Sequence, residues 1–182
     1  MSKVVVFKAS PRKNGKSTEL MECVIEGAKS NGAEVVVYDL NDKGARGCQS
    51  CFYCATHDGC VQKDYLQPMY KDIDEADSIV ATFPIYFMNI NAQAKIWIDR
   101  LHPMFDSNFQ PRHPNKKVVA IYAQSTPDES AFNNIVENNN AAFKMFGWNL
   151  VKSFLLSNTM SPDMKISDET KKEAFEIGKS LV

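Results

Sequence analysis

Val4-Val5-Val6-Phe7 runs into Lys8-Ala9-Ser10-Pro11-Arg12-Lys13-Asn14-Gly15-Lys16-Ser17-Thr18, an unbroken apolar tetrad emptying into a polar loop. Four apolar residues without alternation read as a strand buried on both faces, as parallel strands are. From Ser17 to about Ser30 the period becomes helical, with Leu20, Val24 and Ala28 on one face and Asn31-Gly32 as the stop. The rest of the chain repeats this strand–loop–helix unit. Val35–Val37, Ser78–Thr82, Lys117–Ala123 and Leu150–Leu156 read as strands, and Met69–Glu75, Asn91 to about Leu101, Ser130–Phe146 and Asp168–Leu181 as helices, the last capped by Ser167. Five strands alternating with helices predict one α/β domain over residues 1–182, a doubly wound five-stranded parallel sheet with helices on both faces. No internal repeat or linker divides it.

The chain has 182 residues, 44% hydrophobic and 24% charged, with a formal net charge of -1. That is ordinary globular composition, and it gives no broad attraction to nucleic acid or to an anionic membrane. Met-Ser-Lys leads directly into Val4–Phe7, too short for the core of a signal peptide, and no later run matches a bilayer span. The expected location is cytoplasmic.

In an open α/β sheet, ligands sit beyond the carboxyl ends of the strands. The first loop places hydroxyls, backbone N–H groups and the charges of Arg12 and Lys16 at a helix N-terminus, which suits a phosphate. Ser10 to Ser17 nearly matches a nucleotide-binding P-loop, but Ser10 replaces its first glycine and Pro11 stiffens it. No later strand, on the bounds read here, ends in the acidic residue that would hold Mg²⁺ in such an enzyme. Ser-Pro-Arg-x-x-Gly-x-Ser/Thr instead resembles the FMN-phosphate loop of the NAD(P)H-dependent FMN reductase and multimeric flavodoxin family. Pro84-Ile85-Tyr86-Phe87, taken as a loop after the third strand, resembles that family's flavin-lining loop, and the helix from Asn91 its following helix. Ala123-Gln124-Ser125-Thr126-Pro127-Asp128 resembles its third flavin-side loop, with Ser125 where the family often has glycine. The resemblance covers nearly the whole chain and implies a flavodoxin-like fold and FMN. It assigns Ser10, Arg12, Gly15, Lys16, Ser17 and Thr18 to the phosphate, and Pro84, Ile85, Tyr86, Phe87, Gln124 and Ser125 to the ring. Independently of it, Tyr86 and Phe87 offer a flat apolar wall, and Gln124 and Ser125 offer hydrogen bonds.

Four of the five cysteines, Cys48, Cys51, Cys54 and Cys60, fall in a long segment without clear period from Leu40 to Pro68. Their spacing, C-x₂-C-x₂-C-x₅-C, is nearer a ferredoxin-type loop than zinc sites with two separated ligand pairs. Zinc, or cysteines without any metal, remain alternatives. The loop resembles the iron–sulfur flavoprotein branch of the family, which implies a [4Fe–4S] cluster with those four cysteines as ligands. The segment has few large aliphatics, so it is expected to owe its order to the cluster. His57 reads as a surface residue, Cys23 as core, and Lys63-Asp64 carries no assigned chemistry.

The resemblance implies an oxidoreductase taking electrons from NAD(P)H through FMN to a quinone, another small acceptor or a redox protein. The cofactor carries the chemistry, so no side chain is assigned as acid or base. A non-enzymatic electron carrier and a metal-bound or metal-free interaction domain are the competing classes. The helix from Asn91 presents Ala94, Trp97, Ile98 and Leu101, followed by Met104 and Phe105, more apolar surface than one sheet face needs. A homodimer or homotetramer with these residues near the interface is the expectation, against the alternative of a deep core under the Pro103–Pro114 connection.

Overall fold

The computed structural model describes residues 2–42 and 44–182. Met1 and Lys43, which fall inside the expected domain and cysteine-loop boundaries, lie outside the described residues. The elements are β1 (Lys3–Lys8), α1 (Lys16–Ser30), β2 (Glu34–Asp39), α2 (Met69–Glu75), β3 (Ser78–Tyr86), β4 (Asn89–Ile90), α3 (Ala92–Asp99), β5 (Lys117–Ala123), α4 (Asn133–Met145), β6 (Asn149–Leu156) and α5 (Asp168–Ser180). The long strands run parallel in the order β2-β1-β3-β5-β6, and β4 pairs antiparallel with β3. The order reverses between β1 and β3, the switch point at which doubly wound sheets bind ligands.

Strand alternation divides the core in two. Val5, Phe7, Ile79, Ala81, Phe83, Val118, Ala120 and Tyr122 face α2, α3 and α4. Val4, Val6, Val80, Val119 and Ile121 face α1 and α5. Both faces are covered, which is why these strands read as continuous apolar runs. No helix among the described residues is long and apolar enough to cross a membrane.

Two expectations need correction. The third strand runs on to Tyr86, so Pro84, Ile85 and Tyr86 are extended strand residues, and β4 makes a sixth strand. β1 pairs with β3 only as far as Ala81, so Pro84 lies past that pairing, where a proline is tolerated. The apolar residues assigned to an interface lie inside the fold: Ala94, Trp97 and Leu101 are fully buried and Met104 nearly so. Ile98 and Phe105 pack half-buried on the same core. The connection after α3 folds back over them, with Arg112 N–H donating to the Met104 carbonyl (2.8 Å) and Phe105 stacked on Phe146 (4.8 Å). The apolar surplus that argued for a homo-oligomer is accounted for by this cover.

α1 and α5 meet backbone to backbone. A Cβ on Gly27 would lie 2.0 Å from the Phe175 carbonyl oxygen, and one on Gly178 2.1 Å from that of Val24. Gly27→Ala and Gly178→Ala should each cost about 1–3 kcal/mol through forced separation of the helices. Thermal melts should fall by about 2–4 °C per kcal/mol for a chain of this size. Unchanged melting in both variants would contradict this packing.

Candidate functional site

The loop after β1 is held from behind by three buried or half-buried polar side chains. Thr82 Oγ1 accepts from Ala9 N–H (2.8 Å), Asn91 Nδ2 donates to the Ala9 carbonyl (2.8 Å), and Asn41 Nδ2 donates to that of Ser10 (2.9 Å). Asn91 also caps α3, its Oδ1 accepting from Ala94 N–H (3.2 Å). Sequence reading assigned none of these three, although asparagine just ahead of a helix was a readable cap signal.

At the other end of the loop, Gly15 caps α1 and offers no side-chain hydrogen bond, which leaves the first-turn N–H groups facing outward. Gly15 has an ordinary extended backbone, so its need for glycine is spatial. A Cβ there would stand 3.0 Å from Ser10 Oγ and 3.2 Å from Arg12 Cβ. Lys16 is engaged with Glu19 (3.1 Å), while Arg12 makes no ion pair among the described residues.

Opposite the loop, β3 and β4 form a hairpin whose turn residues Phe87 and Met88 hold φ of 47° and 70°. Bulky side chains resist that left-handed region, at roughly 1–2 kcal/mol each. The register pair Ile85–Ile90, both buried, holds the turn. Tyr86 is about half exposed and Phe87 wholly so, while Pro84 and Ile85 are buried below them.

Together these elements bound a cleft of about 420 Å³ at the carboxyl edge of the sheet, within the usual range for small-molecule sites. Of the expected residues, Ser10, Arg12, Gly15, Lys16, Ser17, Pro84, Ile85, Tyr86, Phe87 and Ser125 line it. Thr18 and Gln124 do not. Thr18 is buried, its hydroxyl donating to the Arg12 carbonyl (3.4 Å). Gln124 turns inward, with Nε2 donating to the Asp128 carbonyl (2.6 Å) and so folding the loop before α4. Thus α4 starts at Asn133 and not Ser130. Asn14, Ala123, Thr159 and Met160 also line the cleft and were missed. Thr159 and Met160 follow β6, the neighbour of β5, so the strand-end rule already pointed to them.

The four clustered cysteines line a second recess, with Phe52, Tyr53, Val61, Arg100 and His102 among its walls. All four are free thiols, and Cys54 lies within electrostatic reach of the other three. Burial, reinforced by those neighbours, pushes the Cys54 thiol up. No three His, Cys, Asp or Glu side chains among the described residues gather tightly enough for a single ion. A multi-iron cube takes a soft thiolate at each corner, and the donor set fits it.

The loop also has an anchor of its own, unassigned from sequence. Arg100, wholly buried after α3, donates Nη1 to Asp64 Oδ2 (2.7 Å) and Nη2 to Oδ1 (3.1 Å). Nη1 also donates to the Arg46 carbonyl (2.7 Å) and Nε to the Tyr70 hydroxyl (3.2 Å). Burial alone would raise the Asp64 carboxyl, but Arg100 and the Arg46 and Leu66 N–H groups outweigh it and hold it below the usual range.

Comparison with known proteins agrees with this geometry. The sequence model of the NADPH-dependent FMN reductase family matches residues 2–159. An iron–sulfur flavoprotein from Archaeoglobus fulgidus is 30% identical over 101 residues, 56% of this chain and 46% of its own. Another from Methanocaldococcus jannaschii is 31% identical over 121 residues, 66% of this chain and 62% of its own. The match therefore spans about half to three-fifths of those relatives' lengths. Among solved structures, an NAD(P)H:quinone oxidoreductase from Methanothermobacter marburgensis superposes with TM-score 0.71 at 19% identity, covering 99% of this chain and 96% of that one. Oxidised flavodoxin 1 from Bacillus cereus gives 0.65 at 12% identity, covering 99% and 97%. The fold is flavodoxin-like.

Asp64→Asn should leave Arg100 buried beside a neutral partner, at a cost of about 3–5 kcal/mol. A carboxyl with a depressed folded pKa stabilises above its unfolded value and loses that contribution as pH falls through the folded one. Stability of the variant, read from urea melts between neutral and acid pH, should therefore fall less steeply on acidification than that of the wild type. Limited proteolysis should nick the variant between residues 46 and 63. Equal melts and equal nicking would show the pair to be dispensable.

Proposed function

The chain belongs to the NADPH-dependent FMN reductase family, and from that premise we propose that it is an FMN-containing oxidoreductase drawing electrons from NAD(P)H. The observation that carries this reading is the cleft itself. It joins a glycine-tightened helix start without a side-chain cap, preceded by an arginine in no ion pair among the described residues, to an exposed aromatic hairpin, all at the switch point of the sheet. When bound there, FMN supplies the redox chemistry, accepting a hydride and releasing electrons to an acceptor. Ser10, Arg12, Gly15, Lys16 and Ser17 would hold the phosphate through hydroxyls, N–H groups and charge. Pro84, Ile85, Tyr86 and Phe87 would back the ring, with Ser125 at its polar edge. Thr18 and Gln124 act from behind, fixing the backbone of the two loops.

Quinones or other small acceptors are the proposed oxidants, as the name of one solved neighbour in fold, an NAD(P)H:quinone oxidoreductase, suggests. Steady-state oxidation of NADH and NADPH by the FMN-loaded protein with a soluble quinone tests the assignment. A flavin that dithionite reduces but neither nicotinamide does would favour an electron carrier instead.

Arg12→Ala should weaken FMN about tenfold or more, since one charge-assisted contact is worth about 1.5–3 kcal/mol. Riboflavin affinity should not change, and fluorescence titration measures both. Equal wild-type affinity for FMN and riboflavin would remove the phosphate role.

The cysteine recess supports a second redox group, a [4Fe–4S] cluster on Cys48, Cys51, Cys54 and Cys60. Relatives named iron–sulfur flavoproteins align with this chain. Cys51→Ala should abolish the brown colour of anaerobically reconstituted protein while FMN stays bound, because the two recesses share no lining residue. Iron-free wild-type protein after reconstitution would refute the cluster.

A further inference from the structure

His102 follows α3 in a short 3₁₀ turn, His102–Met104, and sets its Nδ1 3.3 Å from Cys54 Sγ. The imidazole is held in place: Leu101 and Pro103 on either side are buried, and the ring meets Phe109 edge-on at 5.8 Å. The other thiols have different neighbours. Cys48 Sγ accepts from Ser50 N–H (3.4 Å), and Cys60 lies near the Tyr70 hydroxyl and the Arg100 guanidinium. His57, the histidine inside the loop, turns to Thr56 Oγ1 (2.9 Å) and the Tyr53 carbonyl (3.1 Å).

A metal-bound thiolate accepts hydrogen bonds and has none to donate, so beside a ligating Cys54 the Nδ1 atom must carry the proton. Hydrogen bonds to ligand sulfurs tune a cluster's potential, and a donor favours the more negative, reduced state. Resting on the cluster reading above, we propose that His102 donates Nδ1–H to the Cys54 thiolate and thereby raises the reduction potential of the cluster. It is a positioning residue acting through Cys54.

The test compares full-length wild type, His102→Leu and His102→Gln, each reconstituted anaerobically with iron and sulfide and assayed first for iron and FMN. Dithionite titration followed by EPR then reads the one-electron reduction of the cluster. His102→Leu should keep its iron yet be harder to reduce, its equilibrium constant falling about tenfold, which is about 59 mV for one electron. His102→Gln, whose amide can donate, should recover part of the loss. An unchanged potential in fully loaded His102→Leu overturns the proposal and leaves the cluster standing. Wild-type protein without iron overturns both. Loss of iron from His102→Leu shifts the decision to pulsed EPR of the reduced His57→Gln protein labelled with ¹⁵N-histidine. Coupling to a histidine nitrogen is expected there, and its absence overturns the proposal.

Discussion

Both the shape of the cysteine loop and its seat on the sheet depend on burying one guanidinium. Arg100 cannot discard its charge, so a place in the core requires that its donors be satisfied there. Asp64 takes two of them in a fork, the Arg46 carbonyl a third and the Tyr70 hydroxyl a fourth. Those partners come from both ends of the cysteine segment and from α2. Such a pair is weak evidence for net stability, because desolvation opposes it, but losing one partner is costly. Here its effect is on shape. Arg46 and Asp64 bracket all four clustered cysteines, so fixing both to Arg100 closes the intervening chain into a loop over the end of α3. A bound group would therefore meet a partly organised loop, and the ordering cost falls on the residues between the brackets.

The loop after β1 depends on another set of constraints, made of neutral hydrogen bonds. Thr82 and Asn91 reach it from β3 and the start of α3, and Asn41 from the turn after β2. These fix the backbone and leave Arg12 and the aromatic hairpin exposed. The division is sensible: the scaffold is buried and satisfied, while the groups that would touch a ligand carry the exposure and the backbone strain. Phe87 and Met88 in left-handed conformations are the clearest instance.

Most of the layers were legible because double-sided burial writes itself as apolar runs. Val4–Phe7 and Lys117–Ala123 were placed within two residues of their observed limits for that reason. The third strand was cut short because Pro84 reads as a strand end, and β4, two residues long, has no period to detect. The apolar run of α3 fits an interface or a core under the connection after it equally well in sequence, and backbone contacts such as Arg112 to Met104, which side-chain pattern does not encode, decide for the core. At the cleft, loop chemistry and the family resemblance together named ten residues that line it. Neither could tell that Gln124 spends its amide on its own loop, since an inward and an outward glutamine look alike in sequence. Asp64 and Arg100 stand 36 residues apart, so no local period links them.

The two recesses share no lining residue, yet both are tied to one helix. Asn91 caps the start of α3 and holds the Ala9 carbonyl beside the cleft. Arg100 caps its end and holds the cysteine loop, with His102 just beyond. Nine residues of helical rise place those two attachments about 13–14 Å apart along the axis. Trp97 packs the middle of that helix into the core against Phe7, at 4.2 Å between ring centroids, so the helix cannot slide without breaking a fully buried contact. An element with a single packed position transmits no switch, because coupling between sites needs two arrangements to choose between. What α3 supplies is a constant separation. For a protein whose two recesses would each hold a redox group, a fixed spacing is the property the scaffold has to guarantee, and here it follows from one asparagine, one arginine and one tryptophan.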